Sequence, residues 1–216
     1  MKFYFILLSL IISIGSYSQE VSPFGRLNIS IGSEYGSLDY QGNDILYSTG
    51  GGIGFEGGLE SILGYGLTPY ISLGYQLNAA FQVENFNGVK NKSSFTFGRL
   101  FATAGLNKLF DVGGEVITHV IFGSGINYSI PTSTSRTENN IELGSTSYDP
   151  ALGFHIDFKL RINVFDKTYL DTGIRYRHLN FSGTEYTDSN QSSLPVELDD
   201  PNASGVELSI TFGKKI

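Results

Sequence analysis

The chain contains no cysteine and no tryptophan among its 216 residues. Without a thiol there can be no disulfide, no cysteine nucleophile, no thiolate metal site and no acylated lipoprotein cysteine. Basic residues are also scarce: 14 Lys and Arg stand against 21 Asp and Glu. With no basic stripe and no recognisable motif, the balance argues against nucleic-acid binding. Long apolar runs are missing beyond Ile14, since no later segment approaches the roughly 20 residues a membrane-spanning helix needs. Only three histidines occur, without HExxH spacing, so no metal site is expected.

What the chain does have begins with a targeting signal. Lys2 precedes an apolar run from Phe3 to Ile14 interrupted by Ser9, and Gly15-Ser16-Tyr17-Ser18 follows. A positive start, a short apolar stretch and small residues at the −3 and −1 positions describe a secretory signal peptide, residues 1–18, cleaved after Ser18. Residues 19–216 then form one domain by length. Removing Lys2 with the signal leaves 13 basic and 21 acidic residues, a net charge of −8. An exported chain of this kind is either soluble outside the cytoplasm or an outer-membrane barrel.

The segment Leu152–Val164 favours the barrel. Leu152, Phe154, Ile156, Phe158, Leu160, Ile162 and Val164 share one phase of a period-two pattern. Gly153, His155, Asp157, Lys159, Arg161 and Asn163 share the other. As a strand tilted near 45°, the apolar row covers roughly 28 Å along a membrane normal, close to an outer-membrane hydrocarbon band. The same alternation recurs at Phe24–Tyr35, Gly51–Glu60, Leu67 to about Val83, Ser94–Leu106, Val112–Ile130, Tyr169 to about Phe181 and Gly205–Gly213. The expected fold is therefore all-β: an eight-stranded antiparallel up-and-down transmembrane β-barrel. In Ser94–Leu106, Arg99 breaks the pattern by sharing a phase with Phe95, Phe97 and Phe101; a bulge or a headgroup-level position would absorb it. The abundance of glycine, 27 residues, suits a small, crowded barrel.

Connections of two classes alternate along the chain. Ser61–Gly66, Asn107–Asp111 and Asp166–Thr168 are short. Gly36–Gly50, Asn85–Ser93, Pro131–Pro150 and Ser182–Ser204 are long and polar. Short turns belong on the periplasmic rim and long loops on the outer one. The piece Ser133–Asn140 is the most polar and is expected to be mobile. Asn43-Asp44 and Asp199-Asp200-Pro201-Asn202 are read as solvated acidic loop pieces. Aromatics at the strand ends, Tyr35, Tyr65, Phe110, Tyr128, Phe165 and Tyr169, are expected to form interfacial girdles.

The inward phase collects Arg26, Glu34, Glu56, Glu60, Glu84, Glu115, Asp157, Lys159, Arg161, Asp171, Arg175, Arg177 and Glu207. Such charges must form hydrogen-bonded ion pairs, because an unpaired interior charge costs several kcal/mol. Their expected role is to hold the barrel together, with no catalytic residue, no cofactor and no metal. His155 shares a face with Asp157, and His119 shares the inward phase of its own strand. An outer-leaflet lipid A esterase would need His155 near a rim serine and an orienting carboxylate. A narrow solute pore would need a continuous water path past Glu56, Arg161, Arg175 and Glu207. A soluble lipocalin-like binding barrel would reverse the two faces.

The export signal, the Gly- and aromatic-rich strands and the closing segment Gly205-Val206-Glu207-Leu208-Ser209-Ile210-Thr211-Phe212-Gly213 resemble the eight-stranded outer-membrane β-barrel proteins of the Bacteroidota, a group similar to the OmpA/OmpX-like and porin-family barrels. That resemblance spans residues 19–216. It implies residence in the cell outer membrane, contact with lipid and lipopolysaccharide, and recognition of a C-terminal strand by the barrel assembly machinery. Phe212 is then the aromatic of that strand, followed here by Lys214-Lys215-Ile216. The family has no shared catalytic residues. The expected function is structural or surface-interacting, with any envelope or extracellular partner met through the long loops.

Overall fold

Among the described residues thirteen strands follow one another: β1 (Glu20–Gly32), β2 (Tyr35–Tyr40), β3 (Asn43–Ser48), β4 (Gly51–Ile62), β5 (Leu67–Phe86), β6 (Val89–Asp111), β7 (Ile117–Glu138), β8 (Ile141–Tyr148), β9 (Ala151–Phe165), β10 (Thr168–His178), β11 (Gly183–Asp188), β12 (Ser193–Leu194) and β13 (Gly205–Lys214). This computed structural model describes residues 20–32, 35–40, 43–48, 50–86, 89–138, 141–165, 167–188, 193–194 and 203–214. The expected signal segment, Glu34 and Asp199-Asp200-Pro201-Asn202 lie outside the described residues, as do the side chains of Tyr35 and Glu84.

Eight strands close on themselves in the order β1-β4-β5-β6-β7-β9-β10-β13, with β13 returning to β1 and every pairing antiparallel. Closure gives every stave two neighbours and abolishes free edges, which a membrane requires of any strand it surrounds. Prolines sit where this costs no ladder bond. Pro23 lies one residue before the β1–β13 pairing begins at Phe24, and Pro69 one residue before β5 meets β4 at Tyr70. Pro131 lies beyond Ser129, the last residue of β7 paired to β9. Each of these three prolines therefore has a strand on one side only, where its missing N–H is tolerated.

The two faces are inverted relative to a soluble protein. Leu73 is 71% exposed, Ile53 and Phe55 are each 62% exposed, while Arg161 and Arg175 are each 1% exposed. More than thirty large apolar side chains stand exposed, and each would cost on the order of 1 kcal/mol or more in water. A sum of tens of kcal/mol exceeds the roughly 5–15 kcal/mol stability of an ordinary domain. Lipid is the solvent that removes this cost, so the outer face is membrane-embedded, and the lipocalin-like reading is overturned.

Inside, bulk is accommodated by glycine. Phe24, Tyr70, Phe101 and Tyr169 lie directly opposite Gly58, Gly105, Gly74 and Gly213. A Cβ at Gly74 would stand 2.4 Å from the Phe101 ring, and one at Gly213 2.0 Å from the Tyr169 ring. His155 and Lys159 use Gly125 and Gly173 in the same way. At these positions the narrow lumen thus fits one large side chain per cross-strand pair.

Three expectations for single residues change at this level. The phase of Phe95, Phe97, Arg99 and Phe101 faces inward, so Arg99 needs no headgroup; the β6–β7 register does shift at Gly98/Arg99, on the β7 side. Tyr169 is buried in the lumen rather than placed in a girdle, while Tyr65, Phe110 and Phe165 are exposed near strand ends and Tyr128 is exposed at the middle of β7. Glu115 is exposed rather than inward, because β7 starts later, at Ile117. The turn before it is shaped by Gly113 at φ +62°, whose N–H is accepted by Asp111 Oδ1 at 2.8 Å.

The long connections are largely β-structure. β5 and β6 pair out to Phe86↔Val89, and β7 continues through Ser133–Glu138, the described part of the Ser133–Asn140 piece expected to be mobile. β8 pairs with both β7 and β11, and β2 with β3 forms a separate hairpin containing Asn43-Asp44. The short connections alternate with the long ones as expected, but Asn107–Asp111, expected as a turn, belongs to β6, and the turn there is 112–116.

The membrane assignment of the outer face has a direct consequence at the centre of β9. Phe158→Arg should destabilise the folded barrel in lipid vesicles by about 2–4 kcal/mol, read from the shift of its urea unfolding curve.

Candidate functional site: the barrel lumen

The inward positions assemble into three tiers of charge. Nearest the long-loop rim, Glu207 accepts from Arg177 Nη1 at 2.6 Å and Nη2 at 3.1 Å, and lies 3.6 Å from Arg99 Nη2. Gln76 Oε1 accepts from Arg177 at 2.9 Å and also from Arg99, whose Nη1 donates to Ser129 Oγ at 3.2 Å.

In the middle tier Arg175 donates through Nε to Asp157 at 2.6 Å and through Nη1 to Glu56 at 3.4 Å. Glu56 also pairs with Arg26, and Asp157 with Lys159 at 3.3 Å. The lowest tier centres on Arg161. Its fork grips Asp171 at 2.7 and 2.9 Å, reaches Glu60 at 2.9 Å, and lies 3.6 Å over the Tyr169 ring. Bidentate geometry and stacking on an aromatic face are what guanidinium offers over ammonium.

These side chains meet because β-strand alternation places them on one face and antiparallel register brings them level. Arg175 stands opposite both Asp157 and Glu207, and Arg26 opposite Glu56. Asp171 is likewise opposite Arg161. The expected ion-paired interior is therefore present at every described position assigned to it except Glu115.

Above the upper tier lies an apolar cap of Phe95, Phe97, Tyr148, Leu179 and Phe181. β10 ends at His178, and the following chain turns inward to deliver Leu179 and Phe181. Backbone bonds from Ala203 N to Leu179 O and from Asp149 N to Ser182 O fix that turn at 2.8 and 2.9 Å. Phe97 packs on Phe181 and Tyr148 with ring centroids 5.2 and 5.8 Å apart. Strand periodicity groups Phe95 and Phe97 but does not announce the cap, because Tyr148, Leu179 and Phe181 come from a strand end and a connection.

The histidines do not converge. His155 is buried, with Nε2 2.5 Å from Tyr70 Oη and 3.9 Å from Asp157. Its Nδ1 has no hydrogen-bond partner among the described residues. Neither ring nitrogen therefore meets a serine there, which removes the geometry an esterase built on His155 requires. His119 stands opposite Arg161, whereas His155 stands opposite Gly125, about 20 Å away along β7. His178 lies against the Phe154 ring, with Nδ1 3.1 Å from Ser204 Oγ. That serine–histidine contact was not anticipated from sequence. Ser204 is buried and also accepts the Leu179 N–H at 3.0 Å, so it ties the end of β10 to the start of β13.

No protein-family model and no curated protein matches this sequence. Solved structures do resemble it. The crystal structure of the outer-membrane protein OprG from Pseudomonas aeruginosa aligns at TM-score 0.61 and 11% identity, over 93% of this chain and 97% of that one. A major outer membrane protein from Thermus thermophilus aligns at TM-score 0.53 and 12% identity, over 90% and 99% of the two chains. At such identity the likeness is one of fold. Together with the inverted faces it establishes an eight-stranded antiparallel β-barrel of the outer-membrane type.

The tiers predict an asymmetry between breaking and replacing a pair. Glu56→Gln leaves Arg26 and Arg175 short of a carboxylate and should cost about 3–5 kcal/mol, measured by urea unfolding in vesicles. Replacing Arg26 and Glu56 together by methionine should cost less than the single change.

Proposed function

We propose that this chain is an integral outer-membrane barrel, of the type found in the Bacteroidota, whose role is structural or surface-interacting rather than catalytic. The observation that carries this reading is the filled lumen. Glu56, Arg161, Arg175 and Glu207, past which any solute would travel, are each at most 3% exposed and engaged in ion pairs. The apolar cap then covers the upper tier. Both features favour a plugged barrel over a conduit.

In this reading residues 1–18 direct export and are removed. The short turns face the periplasm, and the β-extended connections face outward. Lipid and lipopolysaccharide surround the apolar band, and β13 with Phe212 is presented to the assembly machinery during insertion. An envelope or extracellular partner would meet the β2–β3 hairpin and the sheet formed by the upper parts of β5–β8 with β11 and β12, which are the elements projecting past the shorter staves.

The purified barrel in planar bilayers should give no single-channel steps under conditions in which a general porin conducts, and cell fractionation should recover it in the outer membrane. Reproducible conductance from the pure protein would overturn the plugged reading. Recovery as a soluble periplasmic protein would overturn the location.

A further inference from the structure

The described interior does not neutralise itself. It buries six cationic side chains against five carboxylates, and the imbalance is unevenly distributed. In the lowest tier Arg161 faces two carboxylates, whereas in the middle tier Arg26, Lys159 and Arg175 share Glu56 and Asp157, and in the upper tier Arg99 and Arg177 both turn to Glu207. Gln76 Oε1 gives these two guanidiniums a shared acceptor, but it carries no charge.

A cavity of about 10 Å³ opens at the upper tier, lined by Ser30, Gln76, Asn78, Phe97, Arg99, Arg177 and Glu207 among others. That size sits near the minimum for a single water-sized occupant. Two buried polar atoms among its lining residues have no hydrogen-bond partner among the described residues: Arg177 Nε and Asn78 Oδ1. Arg177 is 1% exposed, so bulk water does not satisfy its N–H.

The Asn78 amide can be satisfied from within. Ser30 Oγ accepts the Gln76 Nε2–H at 2.6 Å and keeps its own proton to donate. Asn78 lies 3.3 Å from the same hydroxyl. If its amide is turned so that the carbonyl takes that proton, the NH₂ group is released as a further donor. The lining then offers N–H groups from Arg177, Arg99 and Asn78, with one positive charge in excess.

We propose that this cavity binds one small monovalent inorganic anion of halide size. A water molecule would satisfy the N–H groups but leave the surplus charge buried, which is the larger cost. A cation is repelled by two guanidiniums, and a multivalent oxyanion exceeds both the space and the charge deficit. The bound anion ties together β5, β6 and β10, the strands that carry Asn78, Arg99 and Arg177, beneath the cap.

Two measurements on the refolded full barrel in detergent test the site. Crystals grown in sodium bromide should show an anomalous peak between Arg99, Arg177 and Asn78; anomalous maps with no bromide there, or a water in its place, would overturn the proposal. The unfolding midpoint should rise by about 2–4 °C in saturating chloride over gluconate at equal ionic strength, and Arg99→Gln should abolish the difference. An equal midpoint in the two salts for the unmodified chain would contradict the site even if the variant fails to fold.

Discussion

Burying charge on the axis of a barrel surrounded by hydrocarbon is the constraint on which everything else rests. Neither the lipid outside nor the narrow interior offers the solvation of bulk water, so each buried ion needs partners within a few ångströms. The structure meets this with lateral pairs set by register, Arg26–Glu56, Arg161–Asp171 and Arg175–Asp157. Longer reaches, Arg161 to Glu60 and Arg175 to Glu56, then connect staves that are not neighbours. Because partners lie on different strands, the ion pairs act as cross-braces of the closed sheet. They define which strands meet and at which register, since a one-residue slip would turn every charge toward lipid.

Space is the second constraint and follows from the first. An eight-stranded barrel has an interior that side chains fill, yet arginine, lysine, tyrosine and phenylalanine are the largest candidates. Setting several of them opposite a glycine eases the conflict, as Phe101 with Gly74 and Tyr169 with Gly213 show, while most of the arginines stand opposite the carboxylates they pair with. The abundance of glycine thus has a steric cause on the inner face. The apolar cap ends the charge ladder where the staves shorten, with Leu179 and Phe181 entering from the irregular end of β10.

Much of this fold was legible in sequence because strand alternation is a strict signal. The alternating run Leu152–Val164 separates lipid-facing from lumen-facing positions, and the contrast of short and long connections orders the strands. The same logic fails for β6, where aromatics occupy the inward phase with Arg99; hydrophobicity alone cannot distinguish a phenylalanine against lipid from one packed over glycine. Tyr169 fails likewise, since its position at a strand end suggests a girdle while its ring serves as the platform for Arg161. The pairing of individual charges, the cap and the His178–Ser204 contact depend on register between distant segments. No single strand carries that information.

The absence of tryptophan makes the central claim directly measurable. A single Phe158→Trp change supplies the only indole in the chain, on the face assigned to lipid, and Phe101→Trp supplies one on the face assigned to the lumen. Reconstituted into vesicles of acyl-chain-brominated lipid, the first should be strongly quenched and the second nearly unaffected. Quenching of the indole at 101 with protection of that at 158 would contradict the inverted barrel and everything built upon it.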